Sequence, residues 1–195
     1  RRRRLGVEAR DVERGDRTSA HRVHVAQAVR RGDRPEALEL DEVLRLVMDT
    51  IVHLTGAERG FLMLRDVQGQ MGMRLARNWE QESIHPDDFA ISRTVIQRVI
   101  DSCDPILTTN AQEDPRFGGH ESIVAYNLRS ILCVPLKVKN DLIGVIYTDN
   151  RIRAGIFNEA KRDLLAVFAN QAAIAIENAR LFASVRRTLD EVTEL

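Results

Sequence analysis

Between Asn158 and Leu195 there is neither proline nor glycine. A stretch of that length without a backbone breaker predicts a single helix of more than thirty residues, with Asn158 as its N-cap. Phe168, Ala175, Phe182 and Leu189 recur in it every seven residues, and Gln171, Asn178, Val185 and Val192 keep the same interval three positions on. A strict seven-residue repeat is what a parallel coiled coil needs to hold its seam against a partner. Gln171 and Asn178 make the seam polar at first, it becomes cleaner after Phe182, and a buried Asn178 would fix register. Over its first half the same helix can pack within its own chain, through Leu165, Phe168, Ala172 and Ile176. Beyond Phe182 the sequence offers no such partner, so the repeat predicts a homodimer, with residues 188–195 beginning a coiled-coil continuation.

Upstream, the periodicity changes several times. Leu38, Leu40, Val43, Leu44, Val47, Ile51 and Leu54 recur at three and four residues, one face of a helix that starts at Pro35 and closes near Thr55-Gly56. RGFLMLRD (59–66) and MGMRLARNW (71–79), joined by VQGQ, predict a hairpin. A polar loop with His85-Pro86-Asp87-Asp88 follows, and ISRTVIQRVIDSC predicts a helix capped by Ser92 with Val95, Ile96, Val99 and Ile100 on one face. PILTTN (105–110) reads as a strand, QEDPRFGGHE as a long loop and SIVAYN as one helical turn. RSILCVPLKVKNDLIGVIYTDN predicts two strands around a turn at Lys139-Asn140-Asp141. Antiparallel strands with helices gathered at the ends of the sequence make an α+β fold with helices on one face of a sheet.

With 195 residues, 44% of them hydrophobic, the chain can bury one good core and is short for two. Basic and acidic side chains balance at 29 each, so no overall field draws it to nucleic acid. The balance is uneven along the chain: residues 1–35 hold 11 Arg against 5 acidic residues, which leaves 18 basic against 24 acidic for the rest. Interleaved Asp and Glu make this basic stretch a solvated linker rather than a nucleic-acid or lipid binder. Cys103 and Cys133 stand thirty positions apart with no Cys-x-x-Cys, against a zinc site or a disulfide framework and in favour of a reduced, cytoplasmic setting. The longest charge-free apolar run, Leu164 to Ile176, is too short to span a bilayer, so no membrane partner is expected. RRRRLGVEARD lacks the apolar core of a signal peptide, and the missing initiator Met suggests an excised fragment. His21 and His24, spaced i,i+3, have no third ligand in view, so no metal is expected there.

Five strings carry a family likeness: LTGAERGFLML (54–64), NAQEDPRF (110–117), LRSILCVPLKV (128–138), LIGVIYTDNR (142–151) and FANQAAIAIENARLF (168–182). In this order they resemble a GAF domain, of the kind found upstream of histidine kinase, nucleotide cyclase or enhancer-binding activator output domains in bacterial signalling proteins. The domain boundaries follow as a linker over 1–35, the GAF domain over 36–187 and the coiled-coil continuation after it. The resemblance implies a central antiparallel sheet, a layer formed by the first and last helices, and a ligand pocket on the opposite face. It also implies a module that senses and dimerises rather than catalyses, joined to an output domain, with no cofactor beyond an unidentified small molecule.

In the resembling fold the Asp-Pro loop and the short helix after it cover the pocket, which would place Asp114, Arg116, Phe117, Tyr126 and Arg129 near its mouth. Arg116 and Phe117 offer a guanidinium and a π face for a planar or phosphorylated ligand. The alternative is structural: Pro115 fixes a turn, Asp114 caps it through its own backbone, and Phe117 plugs the core beneath. Tyr126 and Tyr147 either point hydroxyls into a cavity or serve as amphipathic core residues. Asp149-Asn150-Arg151 followed by Phe157 is similar to the asparagine, lysine, phenylalanine, aspartate, glutamate signature of cyclic-nucleotide-binding GAF domains. Arg151 replaces the lysine, and Lys161-Arg162 stand where the signature is acidic. The structural reading has Asp149 and Asn150 ending a strand. A free methionine sulfoxide reductase would need converging thiols, whereas Cys133 reads as a core residue and Cys103 as a helix-end one. A bilin site would need Cys beside His where Tyr126 and Asn127 stand.

Overall fold

A computed structural model describes residues 35–193 of the chain. Its contacts divide the chain into residues 1–42 and 43–195, and each unit is described by itself. Of the first, only the opening turns of the first helix are described. The linker expected over residues 1–35, Pro35 excepted, and the pair His21 and His24 lie outside the described residues.

Helix α1 (Pro35–Thr55) ends at Gly56, whose φ of +70° lets the backbone N–H groups of Gly56 and Ala57 both turn back onto the Val52 carbonyl. Strands β1 (Arg59–Arg65) and β2 (Met71–Asn78) form the expected hairpin. The Asp66 carboxylate closes its turn by accepting from the Gln68 and Gln70 amides. After a 3₁₀ turn at Pro86–Asp88, helix α2 (Arg93–Ser102) begins at its Ser92 cap, which accepts from Val95 N. Strand β3 (Ile106–Thr108) is shorter than the segment 105–110 predicts. Its last residues bend into the loop, where the Asn110 carbonyl takes up the amides of Glu113 and Asp114. Helix α3 (Glu121–Ala125) is a single turn. Strands β4 (Ser130–Val138) and β5 (Asp141–Asn150) pair around a two-residue turn in which Lys139 adopts a φ of 56°. Helix α4 (Glu159–Thr193) starts where Asn158 Oδ1 accepts from Lys161 N at 2.9 Å.

The five strands form one antiparallel sheet in the order β2-β1-β5-β4-β3. Strands β4 and β5 are buried along almost their whole length, which explains why SILCVPL and LIGVIY read as near-continuous apolar runs rather than as an alternation. The period of two still sorts their side chains. Leu62, Leu132, Val134 and Ile146 are buried on the face that takes α4, beside Leu165, Ala169, Ala172, Ala173 and Ile176. On that same face Gly60 admits α1: a Cβ there would lie 2.7 Å from the Val52 side chain and 2.8 Å from that of Met48. Phe61, Ile131, Cys133, Val145 and Tyr147 turn to the opposite face, where Val95, Ile96 and Val99 of α2, Phe117 and Ile123 complete a second core. No described helix is long and apolar enough to cross a membrane.

Candidate functional site

The second core is open at one end. A cleft of about 560 Å³ lies between the segment entering α2 and the short α3, walled by Phe89, Ile91, Arg93, His120, Ser122 and Tyr126. Next to its lining, Ser92 and Tyr147 are fully buried. The Ser92 amide donates to the Tyr147 hydroxyl at 3.4 Å, and the hydroxyls of Ser92 and Ser122 are 3.4 Å apart. Burial pushes the Tyr147 phenol well above its ordinary range, so it keeps its proton. A ligand in this cleft would meet an apolar wall at Phe89 and Ile91, a guanidinium at Arg93, a carboxylate at Glu121 and the hydroxyls of Ser122 and Tyr126. Of these groups, the sequence patterns single out only Tyr126 and Tyr147 as ligand candidates, with Ser92 noticed as a helix cap. Phe89 and Ile91 follow a polar loop with no period, and Arg93 looks like any first-turn residue of a surface helix.

The other pocket candidates are distributed differently. Asp114 and Arg116 pair with each other: the guanidinium donates to both carboxylate oxygens, at 3.0 and 2.8 Å, and also to the Leu107 carbonyl at 2.7 Å. The Arg116 hydrogen bond holds the Asp114 carboxyl down at about 2. Asp114 lines a separate hollow of about 480 Å³ within residues 112–120. Phe117, a candidate for the mouth with a core plug as its structural alternative, takes the second role: it is fully buried, with Arg98 and Arg116 guanidinium carbons 4.9 and 5.1 Å from its ring centre. The loop closes so tightly that a Cβ on Gly118 would stand 2.5 Å from the Gln112 carbonyl oxygen, and this turns the ring inward. Arg129 ties the loop to the sheet through its backbone, accepting from Ala111 N and donating to the Asn150 carbonyl. Tyr126 is 41% exposed at the rim of the cleft.

Helix α4 carries a second surface. Its inner face is buried at Leu165, Ala169, Ala172, Ala173 and Ile176. Of the expected seam, Phe168 is half-buried, and Ala175, Asn178, Phe182, Val185, Leu189 and Val192 are exposed, Phe182 by 75%. Leu164, Val167, Ile174 and Leu181 are exposed too. They border the seven-residue repeat and extend the outer apolar stripe back over the half of the helix that packs on the sheet. In the sequence they are masked by the inward face, which already accounts for that half.

Residues 39–176 match the GAF domain family. The chain belongs to that family. One relative of this GAF domain is the hybrid signal transduction histidine kinase G of Dictyostelium discoideum, 33% identical over 87 residues, which are 45% of this chain and 2% of that protein. Another is the dual 3',5'-cyclic-AMP and -GMP phosphodiesterase 11A of Takifugu rubripes, 24% identical over 173 residues, 78% of this chain and 19% of that one. The chain therefore spans only a small part of the curated relatives it matches. Among solved structures, the photoproduct state of GAF3 from Slr1393 of Synechocystis sp. PCC6803 superposes with a TM-score of 0.62 at 17% identity, covering 75% of this chain and 98% of that one. The GAF domain of a phosphoenolpyruvate-protein phosphotransferase from Coxiella burnetii gives 0.54 at 19% identity, covering 74% and 86%. Both share the fold.

At the far end of the sheet this GAF domain uses its remaining candidates structurally. Asp149 is fully buried and receives the Arg59 guanidinium on both oxygens, at 2.9 and 2.5 Å. Burial pushes the Asp149 carboxyl up to about 6, with Arg59 offsetting part of the rise. Asn150 Oδ1 accepts from the amides of Ile152 and Arg153, and Arg151 is forked onto Glu58 Oε1, at 2.9 and 2.5 Å. Burial alone would raise the Glu58 carboxyl, but the Arg151 hydrogen bonds outweigh it and hold the group below its ordinary value. Phe157 is a core residue. Cys133 is fully buried and desolvation pushes its thiol far up, the reverse of what a nucleophile requires. Cys103 caps the end of α2 in a left-handed conformation. Among the described residues no cluster of three His, Cys, Asp or Glu is placed to hold a metal.

Proposed function

We propose that this GAF domain is a non-catalytic, cytoplasmic sensory and dimerisation module, relaying occupancy of the cleft between α2 and α3 to an attached output domain. The observation that carries the reading is the outward apolar face of α4. The helix is clamped to the sheet through Leu165 and Ile176 and continues past the domain with Phe182, Val185 and Val192 exposed by 75, 58 and 65%. An apolar face of this extent favours a second copy, and the seven-residue interval favours a parallel one in register, with Asn178 against its counterpart. A ligand can bias such a pair only by binding two helix arrangements unequally. That relatives are named a signal transduction histidine kinase and a cyclic-nucleotide phosphodiesterase fits a regulatory part of a longer protein.

Substituting Phe182→Lys together with Val185→Lys should give monomers in sedimentation velocity at micromolar protein; a persisting dimer would sink the seam. Native mass spectrometry of the protein purified without added ligand tests the sensory half. A small mass that leaves on denaturation supports ligand capture, and a bare dimer points to relay alone. Cyclic-nucleotide binding is the second reading, motivated by the phosphodiesterase relative. The Arg59 and Glu58 pairings of Asp149 and Arg151 count against its signature residues, and calorimetric titration with cyclic AMP and cyclic GMP decides it.

A further inference from the structure

The wall of the cleft is held from a distance by one side chain. Arg59 on β1 is 3% exposed and, besides gripping Asp149, its Nη2 donates to the Ala90 carbonyl at 2.8 Å and its Nη1 to the Asp88 carbonyl at 3.4 Å. Its guanidinium carbon sits 5.1 Å from the centre of the Phe61 ring. That ring meets Phe89 edge-on at 5.7 Å and Tyr147 at 5.9 Å, and Tyr147 accepts the Ser92 amide. Residues 88–92 are thus fixed at four successive points, by Arg59 at two carbonyls, by Phe61 at one ring and by Tyr147 at the helix cap. Their own backbone bonds are short-range: Ala90 N to the Asp88 carbonyl and Ile91 N to the Phe89 carbonyl. A segment outside any ladder needs such outside partners to hold one conformation.

We propose that Arg59 is a positioning residue for the cleft: locked by Asp149, its fork sets residues 88–92 so that Phe89 and Ile91 form the wall and Ser92 meets Tyr147. The geometry calls for arginine in particular, because one planar guanidinium serves the carboxylate with two parallel donors and still has N–H groups for two carbonyls. The ammonium of lysine cannot present that fork. The assignment rests on the cleft being the ligand site, as proposed above, and its test is independent of any ligand.

The test is amide hydrogen exchange in the ligand-free protein. In the double variant Arg59→Met/Asp149→Leu, apolar side chains of similar size replace both charges, an exchange that commonly preserves or raises stability. The carbonyls of Asp88 and Ala90 nevertheless lose their Arg59 donors, and that of Asp88 keeps only the Ala90 amide. Exchange over residues 86–92 should accelerate at least about tenfold, with β4 and α4 staying within about twofold of the parent. Arg59→Lys, which keeps the charge beside Asp149, should show the same local acceleration to a smaller degree, and it answers the question if the double variant does not fold. Parent-like exchange over 86–92 in a folded variant overturns the proposal. So does acceleration spread evenly over the domain, which would make Arg59 a fold-stabilising residue only. If the acceleration is local but native mass spectrometry finds no captured ligand, the positioning role stands and the sensory reading fails; the reverse pair of results separates them the other way.

Discussion

The two faces of the sheet are built from alternate residues of the same strands and differ in kind. The face toward α4 is aliphatic and small, with Ala169, Ala172 and Ala173 lying on Leu132, Val134 and Ile146. The face toward α2 and α3 carries large rings, Phe61, Phe117 and Tyr147, together with hydroxyls, and beside it lies the buried Arg59–Asp149 pair. Small side chains let α4 lie close on the sheet between Leu165 and Ile176. The cleft lies at the edge of this face, between the segment entering α2 and the one-turn α3. On the function proposed above, one face serves relay and the other capture, and the period of two along β4 and β5 divides them.

The largest break in this contrast should come from the relay face. Ile176→Ala, fully buried under α4, should cost about 3 kcal/mol or more, read as a lowered denaturant midpoint, because the small neighbours leave little that can collapse into the void. On the cleft face, Tyr147→Phe removes the acceptor of the Ser92 amide while keeping the ring, so a loss of about 1 kcal/mol is expected, with exchange at Ser92 rising more than at Ile131. A loss equal to that of Ile176→Ala would show that the cleft face is packed as tightly as the other. The smallest effect should come from Arg116→Ala, which opens a pair with a half-exposed guanidinium and a nearly buried carboxylate, worth about 1 kcal/mol or less at neutral pH. Its sign with pH is fixed. Asp114 titrates near 2, below its ordinary 3.8, so the pair contributes fully above 3.8 and its contribution is lost as pH falls through 2. The gap between parent and variant should close over that interval.

Much of the frame was legible in the residues. Gly56 after α1, Ser92 before α2 and Asn158 before α4 all mark boundaries that the structure keeps, since a cap acts on amides within three or four residues. The VQGQ and Lys139-Asn140 turns were visible for the same reason. The pocket residues were legible only in part. DPRF allowed both ligand groups and a structural turn; the structure has the turn, with Asp114 accepting from the Arg116 amide and Phe117 in the core, while the Asp114–Arg116 side-chain pairing had no signal in the sequence. Arg59 carried no signal, being one charged residue at the start of an apolar strand.

Element type, element ends and the inner stripe of α4 thus follow from near neighbours in the chain, where propensity, capping and periodicity act. The cleft does not. Arg59 meets Asp149 across ninety positions and the Ala90 carbonyl across thirty-one, and Tyr147 reaches Ser92 across fifty-five. Those distances close only when β1 and β5 pair and the segment before α2 folds back over them, because burial makes a charge or an amide take whichever partner the assembled sheet brings within reach.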